Sequence, residues 1–310
     1  MQWNCFKIRI VLNGLSRRRS DSLLRNPAVT RVVAATCFEL VPLKNLEAQL
    51  EYLPDGVSVS VTCSPVKGID FTLDLSARLR ALGLRPIPHI AARMVSGKSQ
   101  LSGIVDRLRA EGHPEVFLVG GDAESPCGEY DGVTPLLRDL LSLEHGLAKI
   151  GVTGYPDGHV TIPTDVLHRE LHVKAALLRD SGVAGWVSTQ MCFDGNLIAK
   201  WLRTERAAGL ELPVRLGIPG PIDRTKLLTM GLRVGVGQSV RYLQKNRSGL
   251  FKLLTGTHYN PSELLSALSN ELEMLNVEGL HLFTFNQLDR CVAWQNEFLR
   301  QPAAVQRVSA

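Results

Sequence analysis

From residue 31 onward, short runs rich in Val, Ile, Leu and Phe alternate with longer stretches whose apolar residues recur every three or four positions. The short runs are bounded by Gly, Pro or polar residues and predict β-strands. They are RVVAATCF (31–38), VSVSVTC (57–63), RPIPHI (85–90), EVFLVG (115–120), KIGVTG (149–154), GWVSTQ (185–190), PVRLGI (213–218) and LHLFTF (280–285). The longer stretches, such as IDFTLDLSARLRAL, SQLSGIVDRLRAEG and TDVLHRELHVKAALLRDSG, predict amphipathic helices. Gly83, Gly112 and Gly182 close such stretches, as expected just past a helix C-terminus, where the backbone turns left-handed.

This alternation predicts an α/β protein, a (β/α)8 TIM barrel, with a doubly wound open sheet as the alternative. Residues 29–302 are assigned to one catalytic barrel, 1–28 to an Arg- and Ser-rich leader and 303–310 to a C-terminal tail. The leader reads as a loosely packed segment, with an organelle transit peptide as the other option. The long interval between the seventh and eighth strands, 219–279, reads as a helical elaboration with PSELLSALSNELEML near its end.

Both architectures gather ligands at the carboxyl ends of their strands. There the sequence places Glu39; Thr62, Cys63 and Ser64; His89; Gly120, Gly121 and Asp122; Tyr155 to His159; Gln190 with Phe193 and Asp194; the GIPGPI turn; and Asn286 with Gln287. One polar residue at a strand end is ordinarily a cap or turn former. Polar groups at nearly every strand end are what a binding site needs. The Gly-Gly of LVGGD permits close backbone approach to a flat or phosphorylated ligand.

Composition narrows this picture. Hydrophobic residues make up 45% and charged residues 21% of the 310, ordinary values for a globular protein. No uninterrupted apolar stretch approaches the ~18 residues of a membrane span. The net charge of +5 carries no basic stripe with interleaved aromatics, so small anionic ligands fit better than nucleic acid. Six cysteines without a CxxC pair read as reduced, buried thiols in a cytoplasmic protein. There is no GxSxG elbow, no HExxH and no P-loop, and GLRVGVGQSV lacks the full dinucleotide fingerprint. His89 and His159 have few softer ligands around them, and no metal site is expected.

The strand-end motifs, in their order and spacing, resemble the methylenetetrahydrofolate reductases from about residue 34 to 297. FELVPLK is similar to the family's F-E-x-x-P-x-K/R, GGD to its R-G-D, YPDGH to Y-P-x-x-H, STQMCFD to T-Q-x-x-F-D, GIPGPI to its P-G-I turn and FTFNQLDR to its final strand end. Gly120 and Gln287 stand where the family motifs carry arginine.

The resemblance implies a flavin-dependent oxidoreductase of one-carbon and methionine metabolism. It would interconvert 5,10-methylenetetrahydrofolate and 5-methyltetrahydrofolate in a ping-pong scheme, with FAD tightly bound and NADH or NADPH as electron donor. Glu39 would be the general acid that opens the methylene bridge, and Asp122 would tune flavin and pterin. Thr62, Cys63, His89, Gly121, Tyr155 and His159 would line the cofactor, and Lys174 would reach its phosphate or ribose. Gln190, Phe193, Asn286 and Gln287 would meet the substrate. Its partners would be small molecules, with a homo-oligomer allowed. A proton donor of this kind must keep its proton near neutral pH, and Phe38, Leu40 and Val41 provide apolar neighbours in sequence that favour the neutral form. The alternatives are the oxidative direction, a folate- or flavin-binding subunit without redox turnover, and a lyase or aldolase. The last would need a Schiff-base lysine at a strand end, which the sequence does not offer.

Overall fold

In the computed structural model, residues 26–221 and 260–300 are described. Thr36–Leu40 (β1) pairs in parallel with Ser58–Val61 (β2) on one side and with Val277–Phe283 (β8) on the other. Between these lie Arg85–Ala91 (β3), Glu115–Val119 (β4), Lys149–Gly154 (β5), Ala184–Thr189 (β6) and Val214–Pro219 (β7). The sheet closes in chain order, β1 to β8, as a parallel barrel. The described helices are Pro27–Ala34 (α1), Glu47–Leu50 (α2), Gly68–Ala81 (α3), Lys98–Ala110 (α4), Val133–Leu141 (α5), Thr164–Ser181 (α6), Gly195–Ala207 (α7), Pro261–Leu268 (α8) and Leu288–Arg300 (α9). The chain is therefore a (β/α)8 TIM barrel. None of its described helices is long and apolar enough to cross a membrane.

Strand alternation sorts the core into two. Phe38, Leu40, Val59, Val61, Ile90, Val116, Leu118, Ile150, Val152 and Val187 face outward into the main apolar core under the helices. Cys37, Ile87, Phe117 and Trp186 face inward and fill the barrel lumen. The amino end of the lumen is closed by charge. Arg215 lies over the Trp186 ring at 4.3 Å. Its Nε donates to Glu278 at 2.8 Å, and Lys149 Nζ reaches the same carboxylate at 2.9 Å.

Gly151 has a steric reason. A Cβ built there would overlap the indole of Trp186, so the small residue on β5 makes room for the large one on β6. Gly151→Ala should lower stability by about 1–3 kcal/mol, read as a fall in Tm. Trp186→Phe in the same chain should recover part of it.

One expectation changes near the start of the described residues. The run 31–38 is not one strand: Arg31 to Ala34 belong to α1, and the strand starts at Thr36. Asn26 Oδ1 caps this helix by accepting from Ala28 N at 2.9 Å, and Pro27 opens its first turn. A β-branched run cannot by itself distinguish a buried helix from a strand, and the Asn-Pro start signal decides it. The barrel's described part thus begins before residue 29. Residues 42–45 follow β1. They form a turn, and the short α2 begins at Glu47. Most of the elaboration expected between β7 and β8, and the 303–310 tail, lie outside the described residues. Of PSELLSALSNELEML only the part to Leu268 is helical, capped by Asn260.

Candidate active site

Glu39 shares its face of β1 with Cys37, two residues away, so its carboxylate points into the lumen. Its Oε2 lies 3.1 Å from His281 Nε2 on β8. His89 on β3 shares Nε2 with the Ser60 hydroxyl and stands edge-on to Phe117 at 4.8 Å between ring centroids. The His89 and His281 rings are 6.1 Å apart. Burial holds the His89 imidazole well below its ordinary pKa, with His281 acting in the same direction. His89 is therefore a neutral hydrogen-bonding group at neutral pH.

The strand period corrects one expectation. Phe38 and Leu40 do not surround the Glu39 carboxylate, because they project into the outer core. Its neighbours are the two imidazoles. Backbone position at this strand end is set by the exit of β8. The Thr284 hydroxyl donates to Glu39 O, and Asn286 N donates to the Thr284 hydroxyl at 3.1 Å. Asn286 Nδ2 donates to Val41 O at 2.7 Å, and its Oδ1 accepts from Val41 N at 3.0 Å. Phe285 and Asn286 adopt φ of 48° and 53° to make this turn, an uncommon conformation for a bulky residue. The Asn286 amide thus braces the β1 loop just beyond Glu39. Gln287 Oε1 accepts from Arg290 Nη1 at 3.1 Å.

A second group forms at the ends of β4 and β5. Tyr155 and His159 rings meet edge-on at 5.6 Å. Burial raises the Tyr155 phenol, opposed by a hydrogen bond with Thr153 and aided by the Asp122 charge. Burial lowers the His159 imidazole, opposed by the same Asp122. Asp122, Tyr155 and His159 thus sit within electrostatic reach of one another. Gly121 is held at φ +93°, and a Cβ there would stand 2.9 Å from Ala91 Cβ. Arg93 braces the loop beyond it, donating to Ala123 O at 2.9 Å and Glu124 O at 2.8 Å.

The remaining expected residues divide by their partners. Among the described residues, Thr62 Oγ1 is buried without a hydrogen-bond partner, as is Ser188 Oγ on β6. A buried hydroxyl left unpaired is costly and suits a ligand atom. Cys63 Sγ contacts Met94 Sδ at 3.8 Å, and burial raises its pKa. Gln190 Oε1 accepts from Met191 N at 2.7 Å, and among the described residues its amide nitrogen has no partner. Phe193 is buried ahead of α7, next to Asp194, whose side chain caps that helix. Lys174 is on α6, not at a strand end. It is 6% exposed, and among the described residues it makes no hydrogen bond or ion pair. Burial pushes its ammonium down to about 8, partly offset by Glu170.

His281 was not singled out in the sequence. Its signal was a single polar residue in the apolar run LHLF, but register was needed to place it: it pairs with Cys37, next to Glu39 on the lumen face. No metal was expected. Yet Glu39, His89 and His281 offer ligand atoms all within 4.8 Å of one another, and so do His168, His172 and Glu205 outside the barrel.

No family model matches the chain. Among solved structures, it is similar to a protein from Burkholderia cenocepacia J2315 described as a lyase/mutase, at 13% identity over 89% of this chain and 87% of that one, TM-score 0.46. It is also similar to tryptophan synthase from M. tuberculosis, at 12% identity over 91% and 97%, TM-score 0.44. Likeness at this level carries no information about substrate or reaction.

Proposed function

We propose that the protein is a flavin-dependent oxidoreductase acting between a reduced nicotinamide nucleotide and a one-carbon-substituted reduced folate. The observation that carries this reading is the Glu39 carboxylate, directed into the lumen at the end of β1 and held there by His281 and by the Thr284–Asn286 turn. The FELVPLK motif and its companions supply the identity of the chemistry, and the geometry suits the role.

Features of the chain fit a bound dinucleotide cofactor. Lys174 is a buried ammonium whose burial Glu170 offsets only in part, and a phosphate would add compensating charge. Thr62 Oγ1 and Ser188 Oγ are orphaned hydroxyls near the strand ends. Gly120, where an added Cβ would meet nothing within 4 Å, lets a ligand come close to the backbone. The flavin, when bound, would carry a hydride from the nicotinamide to the folate. Glu39 donates a proton to the amine nitrogen of the methylene bridge, so that the C–N bond opens with its electron pair leaving on nitrogen. His281 orients the carboxyl through Nε2. Asp122 favours the cationic carbon that results. Gln190 presents an amide edge that can pair with a pterin. The missing arginine at Gly120 leaves Lys174 and backbone N–H groups to meet the cofactor phosphates.

Purified protein, reconstituted with FAD if necessary, should be yellow, bleach with NADH or NADPH and recover colour on adding methylenetetrahydrofolate. A colourless protein that oxidises neither nucleotide after FAD is added overturns the reading. One observation favours a second reading. The Glu39–His89–His281 set would make a divalent-metal centre, with Glu39 a ligand and not a proton donor. A colourless protein with one equivalent of metal, lost in His281→Ala, would select that reading.

A further inference from the structure

We propose that the outer face of the barrel, between α6 and α7, carries a zinc-class site made by His168, His172 and Glu205. This is independent of the flavin reading and uses none of its residues. His168 and His172 are one helical turn apart, so both imidazoles leave α6 on the same side. Glu205 comes from α7. Its side chain is 4% exposed, whereas those of His172 and His168 are 25% and 43% exposed.

Both rings aim at one carboxylate oxygen. His168 Nδ1 lies 2.8 Å from Glu205 Oε2, and His172 Nε2 lies 2.9 Å from the same atom. The rings themselves stand 4.6 Å apart between centroids. Zinc bonds to nitrogen and oxygen are about 2.0–2.2 Å, so the ligand atoms of a tetrahedral site are separated by roughly 3.3 Å. The separations found are a few tenths of an ångström short of that. Small outward movements of half-exposed imidazoles open the centre without moving either helix.

The donor set selects the ion. Two imidazoles and one carboxylate suit Zn2+, Co2+, Ni2+ or Cu2+ and give little to Mg2+ or Ca2+, which prefer all-oxygen cages. Three protein ligands leave one position, and the exposure of His168 puts it at the solvent side for water. The Glu205 carboxylate is buried, and a dication held beside it would compensate its charge. Bound metal would clamp α6 to α7. It would thereby fix α6 two residues from Lys174.

The test uses the tag-free full-length chain, stripped with chelator and titrated with Co2+ and Zn2+. Wild type should bind one equivalent at this site, with the visible bands of four-coordinate Co2+ displaced by Zn2+, and with a raised Tm. Glu205→Gln and His172→Ala should weaken binding a hundredfold or more. His168→Gln, at the most exposed ligand, should fold normally and weaken it at least tenfold. Glu39→Gln and His281→Ala should leave this equivalent in place, which separates it from metal in the lumen. Wild type that binds no Co2+ or Zn2+, or a His168→Gln protein that binds as tightly as wild type, overturns the proposal and leaves only a hydrogen-bonded His–Glu–His cluster.

Discussion

Glu39→Gln should slow the folate-dependent reoxidation of the reduced protein by about a hundredfold or more, the scale of a lost general acid, while leaving its reduction by NADH or NADPH within about twofold of wild type. The glutamine is close in shape and can still meet His281 Nε2, so the lumen and its β1 exit keep their geometry. The variant removes the proton and little else. Stopped-flow absorbance resolves the two half-reactions separately. Equal losses in both would mean that Glu39 holds the barrel together and does not serve as the acid. A companion variant, His281→Ala, should fall between wild type and Glu39→Gln in the folate half-reaction, because it frees the carboxyl without deleting it.

Lys174→Met should raise stability at neutral pH and, on the proposed reading, weaken flavin retention. The sign follows from linkage. The folded-state pKa is lowered to about 8 from an ordinary 10.5, so between these values the unfolded chain holds more protons. Wild-type stability therefore carries a penalty from this group that is fully present below about pH 8 and is relieved as pH rises through 8 towards 10.5. At about 1.4 kcal/mol per pKa unit, the full penalty is roughly 3 kcal/mol. Methionine fills similar space without charge. The gain in Tm should thus be clear at pH 7 and small by pH 10. Cofactor binding should show the opposite effect, with flavin lost on gel filtration from the variant and kept by wild type. A Tm that does not rise at pH 7 would show that Lys174 is solvated in the folded protein.

These two predictions rest on different parts of the chain's legibility. Glu39 was visible as a carboxylate ending an apolar run, and the resemblance of FELVPLK singled it out. Its surroundings were not visible. Phe38 and Leu40 are its neighbours along the chain, but a strand turns them to the opposite face. His281 and His89, 242 and 50 positions away respectively, are its real companions. Lys174 was legible as a residue and as a cofactor-phosphate candidate, but its burial was not. The bonds of the Asn286 amide to Val41 depend on the closure of β8 against β1 and are not legible in the sequence.

Local pattern determined the element order. Period-two runs, three-and-four repeats and Gly83, Gly112 and Gly182 placed the strands and helices within a few residues, since backbone preference and side-chain period act over neighbouring positions. It failed at 31–34, where a Val-rich segment satisfies helix and strand alike and the Asn26 cap decides. Tertiary structure alone decided which side chains face one another. Closing β8 against β1 brought His281 to Glu39, and packing α7 beside α6 brought Glu205 to His168 and His172. Both meetings are set by register and packing between segments distant in the chain, which no window of sequence contains.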